Sequence, residues 1–185
     1  MPLQKENERY TYADYYSWED NARWEIIDGI PYAMSPAPAP KHQRISIELS
    51  IQFHNFLKGK RCRLYPAPFD VRLAADGADD TVVQPDLSII CDHAKIDDRG
   101  CKGAPDLVVE ILSPSTARHD RWVKYNLYRD SGVREYWIVD PETQTVSVNV
   151  LENNTYIGYA YGDTETAPVN ILPGCTINLQ EVFAE

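Results

Sequence analysis

Two short apolar runs, each carrying a carboxylate, constrain the fold of this chain most strongly. Asp86 follows Pro85 and opens the run Leu87-Ser88-Ile89-Ile90, and Glu110 lies inside the run 107–112. Both runs read as strands, and the polar, Gly-containing segment between them has about the length of a loose hairpin. Burial penalises a charged carboxylate, so one in such a run normally lies beside a cation, a metal or a strong donor. The pattern therefore predicts two strands whose acids could hold a divalent cation.

Length and composition indicate one domain. The chain has 185 residues, 43% of them hydrophobic, and a chain of this size buries roughly 70% of its unfolded surface. We therefore expect a single domain over residues 1–185 with a core that needs no disulfides. No apolar run approaches the ~20 residues that a membrane-spanning helix needs. Since the N-terminus has no signal-peptide pattern, the expected location is cytoplasmic, without a membrane partner.

The cysteines favour the same compartment. Cys62, Cys91, Cys101 and Cys175 form no CxxC pair, so reduced thiols are expected. Cys91, His93 and Cys101 raise the alternative of a zinc site, but a fourth ligand is not evident at a usual spacing. Ordinary loop residues are the favoured interpretation.

The net charge of −10 argues against a broad basic surface for duplex DNA. A local basic groove remains compatible with it. The cations expected to contribute to such a groove are Lys41, Arg44, Arg121 and Lys124.

The N-terminal third contains three recognisable signals. Thr11 and Asp14 have the spacing of a capping box, which predicts a short helix to about Glu19. Asp28-Gly29 between apolar residues predicts a hairpin. The proline-rich segment 35–40 is expected to be an extended connection that ends where a helix begins.

Residues 41–58 predict a long helix. Ile45, Leu49, Phe53, Phe56 and Leu57 fall on one arc at 100° per residue. His42 lies within this arc, and Glu48 and Gln52 lie at its border. From this helix alone, ordinary residues at a helix edge are favoured over site residues.

A second helix is predicted over about 117–130. Val123 and Leu127 define its apolar side, and Asp120 and Lys124 are four residues apart on the adjoining border. Lys124 could reach back over the strand of Glu110. The alternative is an exposed helix pair worth only a few tenths of a kcal/mol, and spacing alone slightly favours it.

Further strands complete a sheet. Alternation and β-branched residues predict strands near 63–65 and 70–73, at 135–139, at 144–151 and at 156–160. Residues 176–179 are expected to extend the same sheet after a turn at Pro173-Gly174.

This ordered series resembles a family of small restriction endonucleases in the PD-(D/E)XK, or restriction-endonuclease-like, nuclease superfamily. The resemblance covers nearly the whole chain. The matching parts are residues 24–29, 34–36, 84–87, 106–115 and 132–141, together with His42, Asp120, Lys124 and Tyr125. The implied fold is an α/β restriction-endonuclease-like core with a mixed, largely antiparallel central sheet, flanking helices and additional β-hairpins.

The resemblance implies a site as well as a fold. It makes Asp86 and Glu110 metal ligands, with help from the backbone carbonyl of Ile111 and from Glu48. The superfamily signature expects a lysine two residues after Glu110, where this chain has Leu112. Lys124 stands where related families place a substitute lysine. An all-oxygen ligand set favours Mg²⁺, with Mn²⁺ as a substitute.

The implied function is Mg²⁺-dependent hydrolysis of phosphodiester bonds in nucleic acid, with DNA the expected partner. A homodimer is left open as the assembly. A second hypothesis is a binding or regulatory module that kept the fold and lost efficient cleavage, motivated by the acidic charge and the displaced lysine. A third, an aromatic-lined binder of small ligands or carbohydrates, rests only on the 12 tyrosines and 4 tryptophans, which core packing explains better.

Overall fold

The computed structural model describes residues 8–19, 22–34, 38–73, 79–114 and 120–184. The capping box forms at the first helix: the Thr11 side chain accepts from the backbone of Asp14, and the Asp14 side chain accepts from the Thr11 N–H at 2.8 Å. This helix, α1, covers Tyr12–Tyr16 and is shorter than the sequence predicted. The expected hairpin is present as strands β1 (Trp24–Ile27) and β2 (Ile30–Ala33).

Asp28 and Gly29 make the hairpin turn possible. Both have positive φ, 51° and 75°, which is the conformation that a two-residue turn of this kind requires. Residues 35–37 of the expected extended connection lie outside the described residues.

Two six-stranded sheets form most of the fold. Besides β1 and β2, the first sheet contains β4 (Val71–Arg72), β5 (Val82–Val83), β7 (Ile96–Asp97) and β8 (Gly100–Lys102). The second sheet consists of β3 (Arg63–Pro66), β6 (Leu87–Ile90), β9 (Leu107–Ile111), β10 (Glu135–Asp140), β11 (Thr145–Glu152) and β12 (Thr155–Gly162). The strand order is β2-β1-β5-β4-β8-β7 in the first sheet and β12-β11-β10-β9-β6-β3 in the second.

The second sheet is mixed but largely antiparallel, as the sequence predicted. Its β9–β10 pair is parallel, whereas the other four pairs are antiparallel. In the first sheet, β4 and β8 are likewise parallel. The α/β fold class with additional hairpins is thus confirmed.

The expectation for residues 176–179 is wrong. Strand β14 (Thr176–Asn178) pairs with β13 (Thr166–Pro168) in a separate two-stranded sheet. The side-chain amide of Gln52 explains this placement, since it accepts from the Asn178 N–H at 2.8 Å and donates to the Asn178 carbonyl at 3.1 Å. A short helix, Leu179–Val182, follows β14.

Helices cover the second sheet on both faces. Helix α2 (Pro40–Leu57) packs Ile45, Leu49, Phe53 and Leu57 against one face, as predicted. The other face contacts the first sheet and helix α3, whose described part consists of a π-helical turn, Asp120–Lys124, and an α-helix, Tyr125–Asp130. Residues 117–119 of the predicted second helix lie outside the described residues. The last helix, Leu179–Val182, is α4.

The expectation of reduced cysteines is partly wrong. Cys62 and Cys91 form a disulfide, while Cys101 and Cys175 are free and buried. Arg63 and Ile90 are paired in the antiparallel strands β3 and β6. Cys62 precedes Arg63 and Cys91 follows Ile90, so the two cysteines occupy the next opposed positions. Sequence spacing does not reveal this contact because it depends on the register of two strands. The zinc alternative also fails, because Cys91 is bonded to Cys62 and His93 contacts the carbonyl of Arg61 at 2.6 Å.

Glu135 ties the C-terminal segment to the second sheet. Its buried carboxylate accepts from the Trp137 indole at 2.7 Å and from the backbone N–H of Ile171 at 2.8 Å. Glu135→Ala should therefore lower the free energy of unfolding by about 2–4 kcal/mol, because these donors would be left buried without an acceptor. Urea denaturation measures this loss. Glu152→Ala, at an exposed position, is the matched control and should change stability by less than about 0.5 kcal/mol.

No helix in the described parts of the chain is long and apolar enough to cross a membrane.

Candidate active site

Strands β6 and β9 bring the two predicted acids together. Leu87 pairs with Val109, so Asp86 and Glu110 occupy the next opposed positions of the two antiparallel strands. The N–H of Ile111 donates to Asp86 Oδ2 at 2.8 Å. The structure thus places the two acids side by side, and their roles as metal ligands stay predictions.

Lys124 reaches the same cluster from α3. Its Nζ donates to Glu110 Oε1 at 2.9 Å and to Glu25 Oε1 at 2.8 Å, and it lies 3.7 Å from Asp120 Oδ1. Only 4% of the Lys124 side chain is exposed. An exposed helix pair, the alternative that spacing favoured, is therefore wrong.

Helix α3 turns one row of side chains toward the core. Asp120, Lys124 and Tyr128, each four residues apart, lie on its buried side. The row starts in the π-helical turn, a conformation that commonly occurs at functional sites. Val123, expected on the apolar side, is instead 40% exposed, because the row of Lys124 and Tyr128 takes the buried side.

Glu25 is a site residue that the sequence reasoning missed. It lies on β1, is buried, and accepts at Oε1 from the N–H of Gln84 at 3.0 Å as well as from Lys124. The signal that found Glu110 could have found it, since Glu25 is also a carboxylate inside an apolar run, Trp24–Ile27. Its contact with Lys124 joins the first sheet to the site.

Tyr128 is a second missed residue. Its hydroxyl donates to Glu110 Oε1 at 2.6 Å. Burial, reinforced by the charges of Glu110 and Glu25, raises the pKa of Tyr128 well above its ordinary value, so it remains a hydrogen-bond donor at neutral pH. Tyr128 lies four residues after Lys124 in the α-helical part of α3, so helical spacing from Lys124 is the signal that could have found it.

Negative charge is in excess in this cluster. Three carboxylates, those of Glu25, Glu110 and Asp120, contact the Lys124 ammonium, and the charge of Asp86 also acts on Glu110. Burial, with the charges of Asp120, Asp86 and Glu25, raises the pKa of Glu110 well above its ordinary value, although Lys124 opposes the shift. Burial alone would lower the pKa of Lys124, but the surrounding carboxylates raise it well above the usual range. These shifts keep Lys124 charged and favour a proton on Glu110.

His42 extends the cluster to α2. Its Nε2 lies 3.2 Å from Asp86 Oδ2. Among the described residues, both hydrogen bonds of the Asp86 carboxylate use Oδ2, and Oδ1 accepts none. His42 and the Ile111 N–H thus fix the carboxylate through one oxygen and leave the other available.

Protonated His42 should stabilise the fold. Burial alone would lower the pKa of His42, but the hydrogen bond and charge of Asp86 outweigh it and raise the pKa above 6.5. Because the folded state binds this proton more tightly, the stabilisation is fully present below pH 6.5 and disappears as the pH rises through the raised value. His42→Gln should therefore lower the free energy of unfolding at pH 5.5 more than at pH 9, as urea denaturation at both pH values would measure. His54→Gln, at an exposed position of the same helix, should show no such pH-dependent loss, and an equal loss at both pH values for His42→Gln would contradict the assignment.

Glu48 and the Ile111 carbonyl, the two further metal ligands that the sequence predicted, make fewer contacts with the cluster than Asp86 and Glu110 do. Glu48 is half-buried on α2 and, within the described part of the chain, forms no hydrogen bond or ion pair with the cluster. Ile111 takes part through its N–H, and a ligand role for its carbonyl stays a prediction. In the described ranges no group of three or more His, Cys, Asp or Glu side chains is arranged as a metal site. The carboxylates nevertheless supply the all-oxygen donors that Mg²⁺ prefers.

The expected basic groove does not form as predicted. Lys124 is buried among carboxylates, and Arg121 pairs with Asp140 at 2.7 Å. Lys41 and Arg44 lie near His42 at the start of α2 and form no ion pair with any described carboxylate. Two of the four expected cations are therefore engaged within the protein.

The fold and the acid–lysine cluster define a restriction-endonuclease-like α/β protein. The Uma2 family, whose description is "Putative restriction endonuclease", matches residues 12–180, and the chain belongs to this family. An uncharacterised protein of Synechocystis sp. is 30% identical over 143 residues, which cover 76% of this chain and 73% of that protein. The crystal structure of a "putative nuclease belonging to DUF820" from Anabaena variabilis superposes with a TM-score of 0.76 at 20% identity, covering 95% of this chain and 98% of that one. The structural match supports the fold.

Proposed function

We propose that this protein is a Mg²⁺-dependent endonuclease that hydrolyses phosphodiester bonds of DNA, with Mn²⁺ able to replace Mg²⁺. The observation that carries the proposal is the convergence of Asp86 and Glu110 on adjacent strands with the buried Lys124. Membership of the Uma2 family supports the same reaction class.

The residues present fit the implied metal in their chemistry. Asp86 and Glu110 would hold Mg²⁺, with the Ile111 carbonyl and Glu48 as further candidates. When bound, the ion neutralises nonbridging phosphate oxygens and lowers the pKa of a water molecule. The surplus of carboxylates over ammonium groups in the cluster is the electrostatic reason for an affinity for divalent cations.

The protein's own groups then have distinct roles. Lys124 supplies a fixed positive charge that orients the attacking water and stabilises the charge that develops on the phosphate. Glu25 holds Lys124 through a second hydrogen bond, and Tyr128 fixes the Glu110 carboxylate through Oε1. His42 positions Asp86 through Oδ2.

A second candidate function is nucleic-acid binding without efficient cleavage. Two features favour it: the net charge of −10 repels a polyanion, and the ammonium of Lys124 is already engaged by Glu25 and Glu110. In that case the cluster would serve only to join α3 to the two sheets.

A cleavage assay separates the two functions. Plasmid DNA, linear duplex, single-stranded DNA and RNA are incubated with the full chain in Mg²⁺, in Mn²⁺ or in EDTA. We expect endonucleolytic cleavage of DNA in either metal and none in EDTA. Asp86→Asn should abolish it, whereas Asp163→Asn, the same chemical change at an exposed position, should not. DNA binding without cleavage on any substrate would support the second function, and cleavage that persists in EDTA would overturn the metal dependence.

A further inference from the structure

An unpaired basic segment lies at the edge of the second sheet, away from the acid–lysine cluster. Residues 49–69 contain no Asp or Glu, although the chain has 28 of them, and Lys58, Lys60, Arg61 and Arg63 lie within this stretch. These four residues, which we name the basic edge, are exposed. None of them forms an ion pair with a carboxylate in the described part of the chain, in contrast to Lys124, Arg121 and Arg134.

The fold holds the basic edge in place. Gly59 has a positive φ of 77°, which lets the chain reverse from the end of α2 into β3. The Cys62–Cys91 disulfide joins the segment to the end of β6. Lys60 lies over the Phe56 ring at 3.0 Å, and Arg63 donates to the Lys60 carbonyl at 2.6 Å. The charges are therefore displayed from a fixed backbone.

Strand β3 leads from the basic edge to the candidate active site. It is the edge strand of its sheet, and the N–H of Ala67, just beyond its end, donates to the carbonyl of Asp86 at 2.9 Å. The chain advances by four positions from Arg63 to Ala67, which corresponds to about 13 Å of extended chain. This is the length of about four base pairs of duplex DNA.

We propose that the basic edge is a second phosphate-contacting surface, which holds the backbone of duplex DNA about four base pairs from the point of cleavage. The choice of DNA as the partner rests on the proposed function. Local charge resolves the conflict between a net charge of −10 and a polyanionic ligand, because salt screens the distant carboxylates over about 10 Å while the unpaired cations make direct contacts. A simpler role for these cations is to prevent edge-to-edge pairing of β3 with another chain, and the test includes that outcome.

Binding is measured with the full chain in EDTA, so that metal-dependent cleavage does not interfere. The probe is a fluorescein-labelled DNA duplex of about 20 base pairs, and fluorescence anisotropy is recorded from about 50 to 200 mM salt. The test variant carries Lys58→Gln, Lys60→Gln and Arg61→Gln. The control variant carries Arg99→Gln, Lys102→Gln and Arg134→Gln, also at exposed positions, so that both variants lose the same three charges.

The test variant should bind the duplex at least about tenfold more weakly at low salt, and the slope of log affinity against log salt should fall by about 3. The control variant should keep the affinity and slope of the wild type. Equal weakening in both variants would overturn the proposal in favour of a net-charge effect. Unchanged DNA affinity of the test variant would also overturn it, and self-association of that variant in sedimentation would then assign the cations to protection of the edge. A wild type that does not bind the duplex in EDTA also overturns it.

This result is separable from the proposed function. Binding through the basic edge by a protein that cleaves no substrate would overturn the nuclease proposal and leave the DNA surface intact. If the wild type shows metal-dependent cleavage and the basic-edge variant binds and cleaves like it, the nuclease proposal stands and the basic-edge proposal is overturned.

Discussion

If the proposed function is right, Lys124→Met should lower the rate of DNA cleavage by at least about a hundredfold. The substitution removes the only ammonium that the described residues place in the cluster, where charge would develop on the phosphate. Lys124 Nζ lies within hydrogen-bonding distance of Glu110 Oε1, one of the two proposed metal ligands, which places the positive charge next to the expected position of the phosphate. The measurement is the single-turnover rate in Mg²⁺ on the substrate that the wild type cleaves best. Lys102→Met, at an exposed position of β8, is the matched control and should cleave like the wild type.

The same substitution should also destabilise the metal-free protein. Without the ammonium, Glu25, Glu110 and Asp120 lose the buried cation that all three contact. Removing one partner of a buried ion pair typically costs about 3–5 kcal/mol. The loss should be smaller at pH 5 than at pH 8, because the raised pKa of Glu110 lets the folded state take up a proton as the pH falls.

Urea denaturation at the two pH values, with and without Mg²⁺, tests this second effect. If Mg²⁺ binds the folded state as the proposed function requires, it should restore part of the lost stability by linkage. If the variant does not fold, Lys124→Arg keeps the charge but changes its geometry, and it should fold while cleaving more slowly than the wild type. Cleavage by Lys124→Met at the wild-type rate would show that Lys124 has only a structural role.

The meeting of Asp86 and Glu110 could be predicted because its causes are local. Each carboxylate adjoins a short run of buried residues, and the segment between the runs permits antiparallel pairing. The hairpin at Asp28-Gly29 and the apolar face of α2 follow in the same way from turn chemistry and helical periodicity. These features agree with the structure because they depend mainly on neighbours in sequence.

The remaining features depend on long-range contacts. Glu25 reaches Lys124 across 99 positions of sequence, and no spacing rule connects them. The Cys62–Cys91 bond depends on the register of β3 and β6. On α3, Val123 is exposed and Tyr128 is buried. The buried side of this helix carries the Lys124–carboxylate contacts, so tertiary interactions override the regular spacing on which the prediction relied.

Asp86→Asn and Glu110→Gln should each weaken Mg²⁺ and Mn²⁺ binding by at least about a hundredfold. Loss of a residue that only supports a metal ligand typically costs about 10- to 100-fold in affinity, and loss of a ligand itself should cost at least as much. Both variants should stay folded, because each new side-chain amide keeps an oxygen that can accept hydrogen bonds. In Asp86→Asn that oxygen can accept from the Ile111 N–H, as the carboxylate does. In Glu110→Gln it can accept from Lys124 and Tyr128, while the carboxylates of Glu25 and Asp120 still neutralise the lysine.

Isothermal titration calorimetry with each metal measures the affinity of these two variants, and thermal denaturation checks that they are folded. Asp163→Asn, at an exposed turn, is the matched control and should bind metal like the wild type. Its carboxylate lies outside the cluster, so its loss leaves the local surplus of negative charge in place. Unchanged affinity in both site variants would mean that Glu110 serves only to hold Lys124 and Asp86 only to hold His42 and the Ile111 N–H, and the nuclease proposal would lose its metal site.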